Sequence, residues 1–313
     1  AAHVANEGPA HVRWARPFMA PIGLPGDTGA SDDTEDTPMS RSFDTGSEHL
    51  HCTIDDAGIA VITMDRPERR NAMTGGMLDG LARALREVET AGDVRCVVLT
   101  GAGGAFCAGG DVKGFAEGDG AGGGASSWDV GVHEQRLSHR ATAGALFSMP
   151  KPTLAVLPGA AAGAGLSLAL ACDLRVAVDS AVITTAFARV GLAGDYGGTW
   201  FLTQLLGPAK AKELYFLPDR MTMDTASELG LVNHVASAED FEATWTGLAE
   251  RLAAGPPIAY RYMKENINRA VTADLGTILD LEATHHRHTG VTADHKEASI
   301  AFVEKREPNF KGQ

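Results

Sequence analysis

Three stretches of this chain hold residue types at spacings that could do chemistry. The first, Gly101–Asp111 (GAGGAFCAGGD), is a glycine-rich loop after a short apolar run. Glycine has no Cβ, so such a loop can bring backbone N–H groups close to a ligand oxygen. A dinucleotide cradle is a competing reading, but the pattern runs GxGxxF and the acid expected some twenty residues on is not evident. No Gly-Lys-Ser/Thr follows, which excludes a Walker loop. The second stretch, Pro158–Asp173 (PGAAAGAGLSLALACD), passes through small residues into a helix. First-turn N–H groups lack internal partners and sit at the positive end of the helix dipole, so those around Gly163–Gly165 suit negative charge developing on oxygen. Gly165-Leu166-Ser167-Leu168-Ala169 also reads as a nucleophile elbow without its last glycine, which keeps a serine hydrolase using Ser167 open. The third is Asp195, between Gly194 and Gly197, either a turn-forming acid or a working carboxylate.

The elements that must position these groups follow from periodicity. Alternation over Ile59–Met64 predicts a strand ending at Asp65-Arg66-Pro67. Thr74 caps a predicted helix whose Met77, Leu78, Leu81, Leu85 and Val88 form one apolar stripe. Apolar strands Cys96–Leu99, Thr153–Leu157 and Leu174–Val178 alternate with helices, including one around Ala164–Ala171, which implies an α/β sheet covered on both faces. Thr142–Ser148 reads as a helix, Gly114–Ser127 as a mobile flap, and Phe241–Ala254 and Pro257–Ala270 as helices. Residues 1–47 are dense in Gly, Pro, Ser, Thr and acid and are expected to be disordered.

The chain has 313 residues, 44% hydrophobic and 21% charged, ordinary values for a globular protein. A formal net charge of −13 argues against a general nucleic-acid binder, whose affinity rests on Lys and Arg against phosphates. It does not forbid one phosphorylated ligand held by a few local cations. Cys52, Cys96, Cys107 and Cys172 stand singly, as reduced core residues of a cytoplasmic protein do. With no apolar run of about 18 residues and no basic-then-apolar start, neither a membrane span nor a signal peptide is expected. His285, His286, His288 and His295 fit no common structural-zinc spacing, so no metal is expected.

Residues 101–111 and 158–173, each following a strand, resemble the two oxyanion-hole segments of the crotonase (enoyl-CoA hydratase/isomerase) superfamily. The resemblance runs from about residue 49 to 313 and includes Arg66–Ala72, Phe106–Lys113, Pro158–Asp173, Gly197-Gly198-Thr199 and Lys305–Phe310. It implies a crotonase-like α/β fold of stacked ββα units, with a core over 48–240. It also implies a helical segment over 241–313 that builds a homotrimer or dimer of trimers. By the same resemblance, the N–H groups of Gly110 and Ala164 hold a thioester oxygen. Arg69, Arg70 and Lys264 fall near the phosphates of coenzyme A. Ala72, Ala108, Gly110, Asp111, Val112 and Lys113 line its pantetheine and adenine. Coenzyme A then enters as part of an acyl-CoA substrate, and no separate cofactor is implied.

The chain departs from the family at its acids. The two glutamates that family hydratases use fall on Ser167 and Phe187, and neither can act as a carboxylate base. Asp195 matches an aspartate with which other members of the superfamily, dienoyl-CoA and ring-epoxide isomerases among them, move protons. Phe187 matches an aromatic position of a dehalogenase in the same superfamily, for which His133 would be the activating histidine. The sequence therefore favours double-bond or ring isomerisation by Asp195 over two-glutamate hydration. Hydration by a variant route, a catalytically weak acyl-CoA binder and the serine hydrolase remain alternatives.

Overall fold

Period-two alternation in Ile59–Met64 puts Ala60, Ile62 and Met64 on one face, where all three are fully buried. The same logic builds the sheet around it. The computed structural model describes residues 40–117 and 127–313. The large sheet runs β1 (Arg41–Phe43), β2 (Leu50–Ile54), β3 (Ile59–Met64), β4 (Cys96–Gly101), β6 (Thr153–Leu157), β8 (Leu174–Val178) and β11 (His234–Ala236). Pairing is antiparallel from β1 to β3 and parallel from β3 to β11. A second sheet runs β10 (Met221–Thr222), β9 (Val182–Thr184), β7 (Ala160–Ala162) and β5 (Ala105–Cys107).

Three strands of the large sheet, β4, β6 and β8, are each followed by a short one in the second sheet and then by helix. β4 and β5 lead to α2 (Val112–Glu117), β6 and β7 to α5 (Ala164–Ala171), and β8 and β9 to α6 (Gly198–Phe216). This spiral is the stacked ββα architecture expected. It sets the entries to α2, α5 and α6 around the ends of the short strands.

Helix α1 (Gly75–Thr90) begins as expected, with the Met77 N–H donating to Thr74 Oγ1 at 3.2 Å. Its Met77, Leu81, Leu85 and Val88 are buried, each contributing roughly 1.5–3 kcal/mol, while Leu78 packs at the core's edge. Helix α5 is buried on every residue, so its apolar run shows no amphipathic stripe. The Thr142–Ser148 helix is shorter than expected. A longer α3 (Trp128–His139) precedes it and passes through a π turn, Arg140–Gly144, into α4 (Ala145–Ser148).

Two boundaries are corrected. Arg41–Phe43, inside the segment expected to be disordered, pairs with β2, and Arg41 forks onto Asp93 with two contacts of 2.9 Å. Residues 1–39 and 118–126, including most of the expected flap, lie outside the described residues. Helix α7 (Met223–Glu228) precedes α8 (Phe241–Ala253), and α8 lays Ala249 and Ala253 on Ile59, Val98, Leu154 and Val176. Although the sequence places α8 in the C-terminal segment, its packing makes it the outer layer of the large sheet. Helices α9 (Pro257–Ala270), α10 (Leu275–Thr289) and α11 (Ala293–Glu304) follow. The terminal Lys305–Phe310 motif is pinned locally: Arg306 reaches Glu297 at 2.6 Å, and the Asn309 N–H donates to the same carboxylate at 3.0 Å.

Candidate active site

The two small-residue segments meet because each carries glycine where they touch. Gly109 has φ +90°, and a Cβ there would lie 2.8 Å from Ala162 O and 3.3 Å from Ala164 N. A Cβ on Gly165 would lie 2.4 Å from Cys107 O, so only glycine lets α5 start this close to β5. Residues 108–110 are held from the other side, with Ala108 N–H on Arg70 O at 2.9 Å and Met73 N–H on Gly109 O at 2.8 Å. Ala164 is the first residue of α5, where an N–H has no helical acceptor. Among the described residues the Gly110 N–H has no backbone or side-chain acceptor either. Two donors without internal partners therefore flank one contact.

Asp195 lies in the loop between the 3-10 turn Phe187–Val190 and α6, in a left-handed run with Gly194 at φ +106°, Tyr196 at +47° and Gly197 at +78°. Its Oδ1 is buried with no hydrogen-bond partner among the described residues. Burial pushes its carboxyl up from 3.8 to about 6. The Asp195 charge in turn helps to raise the pKa of Cys107, Tyr196 and Tyr215, behind burial as the main cause. Phe187 is buried, 3.7 Å from where a Cβ on Gly163 would sit, and stacks on Tyr215 at 5.8 Å between ring centres. Tyr196 packs against His139 at 4.3 Å, and His139 Nε2 is buried and unpartnered among the described residues. His133, the expected activating histidine, is exposed on α3.

The structure divides the expected coenzyme A residues. Arg70, Ala108, Val112 and Lys113 are exposed and Arg69 is half-buried, around the glycine contact. Ala72 is buried. The Asp111 side chain is committed elsewhere. It pairs with Arg66 at 2.7 Å and accepts the Gly114 N–H at 3.1 Å, and Arg66 holds its carboxyl below the usual range. Arg66 also donates to Ala72 O at 3.2 Å. This brace escapes the sequence reading because its partners stand 45 positions apart.

Lys264 is corrected outright. Its Nζ pairs with Asp173 at 2.8 Å and donates to Leu146 O at 3.1 Å and Lys151 O at 3.2 Å, which fills its three donors. It ties α9 to the core and is not placed to meet phosphate. With 10% and 28% of the two side chains exposed, Lys264→Met should lower unfolding free energy by roughly 1–3 kcal/mol. Urea denaturation reads this, and the Kd for free coenzyme A should stay the same.

Ser167 is also corrected. It is 1% exposed, its hydroxyl donates to Gly163 O at 3.3 Å, and no histidine bonds to it among the described residues. It has neither the exposure nor the base of a nucleophile. Ser167→Ala should keep thioester turnover within about threefold, whereas a serine hydrolase would lose on the order of 10³-fold or more. His285 is buried, stacked on Tyr262 at 4.2 Å and bonded to Asn266 at 2.6 Å. All four cysteines are buried thiols, and burial pushes Cys107 up to about 12.

The spiral of ββα turns is a crotonase fold, and solved structures match it. The family model described as enoyl-CoA hydratase/isomerase matches residues 55–313, and the chain belongs to that family. It is 38% identical over 256 residues to the 1,2-epoxyphenylacetyl-CoA isomerase of Escherichia coli K12, covering 82% of this chain and 96% of that protein. It is also 38% identical over 263 residues to the human mitochondrial enoyl-CoA hydratase domain-containing protein 2, covering 82% and 87%. The crystal structure of an enoyl-CoA hydratase from Polaromonas sp. JS666 superposes with TM-score 0.77 at 34% identity, over 83% of this chain and 99% of that one. The chain is an enzyme of an acyl-CoA-processing family.

Proposed function

We propose that this enzyme isomerises an acyl-CoA, with Asp195 moving one proton between carbons while the N–H groups of Gly110 and Ala164 hold the thioester oxygen. The observation that carries this reading is Asp195, whose Oδ1 is buried without a partner among the described residues and whose carboxyl is lifted to about 6. A carboxyl at that value is ionised at neutral pH yet basic enough to take an activated C–H proton and return it. As the proton leaves carbon, the electron pair moves onto the thioester oxygen. The two N–H groups take up that charge, each worth roughly 2.7–4 kcal/mol by analogy with other oxyanion holes. The proton held on Asp195 exchanges with solvent, and Asp195 then protonates another carbon and is regenerated. Ser167 and Phe187, where the family's hydratase glutamates fall, put no carboxylate at either of those two positions. The isomerase named among the relatives supports the same chemistry.

In this reading Arg69, Arg70 and Lys113 meet the phosphates of coenzyme A, since Arg pairs with phosphate bidentately. Coenzyme A arrives with the substrate and the chemistry calls for no cofactor. Exposed Met263, Ile267, Leu275, Leu279, Phe302 and Val303 on α9–α11 support a homotrimer or dimer of trimers. Among the described residues no helix is long and apolar enough to cross a membrane, and we place the enzyme in the cytoplasm.

The similarity to the Polaromonas enoyl-CoA hydratase favours hydration as a second reading. Incubation with enoyl-, dienoyl- and arylacetyl-CoA thioesters in deuterated water separates the two. Isomerisation yields isomers that carry solvent deuterium at the reprotonated carbon and no added oxygen, lost in Asp195→Asn. Hydration yields a product carrying oxygen from labelled water.

A further inference from the structure

Among the polar groups of the candidate site that the proposed chemistry leaves unused is the hydroxyl of Tyr215. Helix α6 carries it back over the start of its own helix and over the loop before it. A Cβ on Gly194 would lie 2.8 Å from Tyr215 Cε1, and one on Gly198 would lie 2.9 Å from its hydroxyl. Glycines on both sides of Asp195 thus make room for this ring. Its other neighbour is Phe187, stacked at 5.8 Å and 14°, which faces Gly163 immediately before Ala164. Tyr215 therefore bridges the Ala164 side of the site to the Asp195 side.

Its hydrogen bonding is incomplete. The exposed Thr199 hydroxyl donates to Tyr215 Oη at 3.2 Å, and among the described residues the phenol's own proton has no acceptor. Ser167, on the same side of Gly198, is no alternative donor, because its proton goes to Gly163 O. Burial, and behind it the charge of Asp195, raises the Tyr215 pKa, so the phenol stays a neutral donor at working pH. A neutral O–H donor does not activate water as a carboxylate does. It recognises an acceptor.

We propose that Tyr215, oriented by Thr199, donates a hydrogen bond to a neutral oxygen on the acyl chain, so that the enzyme prefers acyl-CoA esters carrying an ether, epoxide, hydroxyl or keto oxygen beyond the thioester. The inference rests on the acyl-CoA reading of this site and extends it to the substrate class. Tyr215 is half-buried, and an all-hydrocarbon chain that covers its phenol without offering an acceptor is the worse ligand, since it leaves the donor unsatisfied.

The test uses saturated thioesters as competitive ligands of the full-length enzyme: hexanoyl-CoA and its 4-oxa and 5-oxa analogues, which swap one methylene for an ether oxygen. In wild type at least one analogue should bind roughly tenfold tighter than hexanoyl-CoA. Tyr215→Phe, which keeps the ring on Phe187, should bring that ratio to about one. Thr199→Val, which unfixes the phenol without removing it, should give an intermediate ratio. A ratio near one in wild type, or one unchanged in Tyr215→Phe, overturns the proposal. Deuterium exchange at the acyl α-carbon is followed on the same samples. If wild type exchanges nothing, the Asp195 chemistry fails while the affinity ratio still decides the role of Tyr215.

Discussion

Replacing Asp195 with Asn should cut isomerisation by roughly 10²–10⁴-fold, the usual contribution of a positioned acid/base, while making the protein more stable at neutral pH. Both effects have one cause. Oδ1 is buried without a partner among the described residues, and burial lifts the carboxyl from 3.8 to about 6. Below the unfolded value both states carry the proton and the site costs nothing. As pH rises from 3.8 through about 6 the folded protein must ionise a group that burial disfavours, and its stability falls by on the order of 3 kcal/mol at roughly 1.4 kcal/mol per pH unit. Asparagine does not titrate. The variant should match wild type near pH 4 and exceed it by about 1–3 kcal/mol at pH 8, read by urea denaturation at both values. A variant that loses activity and also loses stability at pH 8 would show that Asp195 is a structural turn residue.

The second large effect is expected at Gly165. Its added Cβ would sit 2.4 Å from Cys107 O and 2.7 Å from Cys107 Cβ. Backbone on one side and a helix on the other leave no flexible end to move, so Gly165→Ala must push α5 away from β5 by on the order of half an ångström or more. That displaces the Ala164 N–H from the Gly110 N–H. A misplacement approaching 1 Å can cost 10²-fold in rate, and the overpacking should cost about 1–3 kcal/mol in stability. The loss should fall on kcat rather than on affinity for coenzyme A, because the exposed Arg70 and Lys113 do not depend on α5. Gly76→Ala, at an exposed position of α1 with nothing within 4 Å of the added Cβ, serves as the control and should stabilise by roughly 0.5–1 kcal/mol.

What could be read from the sequence follows from which forces are local. Thr153–Leu157, Ala164–Ala171 and Leu174–Val178 coincide with β6, α5 and β8 because each is an apolar run bounded by Pro, Gly or Asp. The short strands of the second sheet carry no such signal: Ala105–Cys107, Ala160–Ala162 and Val182–Thr184 are three residues each and exist only by pairing with one another. Within the candidate site, the glycine segments and Asp195 were visible because glycine and an isolated acid stand out by type. Their partners were not. Tyr215 reaches the Asp195 loop only once α6 has turned it back over Gly194. Lys264 looked like a cation available to phosphate until α9 packed it onto Asp173. Long-range ion pairs decide which charges remain available, and a single sequence does not display them.

The pH dependence of kcat/KM for proton exchange at the acyl α-carbon is the most direct test of Asp195 as the base beside the two N–H groups. The exchange rate should rise with pH through an apparent pKa of about 6 and then level off, and Asp195→Asn should lose both the limb and the exchange. A wild-type limb near the ordinary carboxyl value of 3.8, or the same pH profile in Asp195→Asn, would contradict the account.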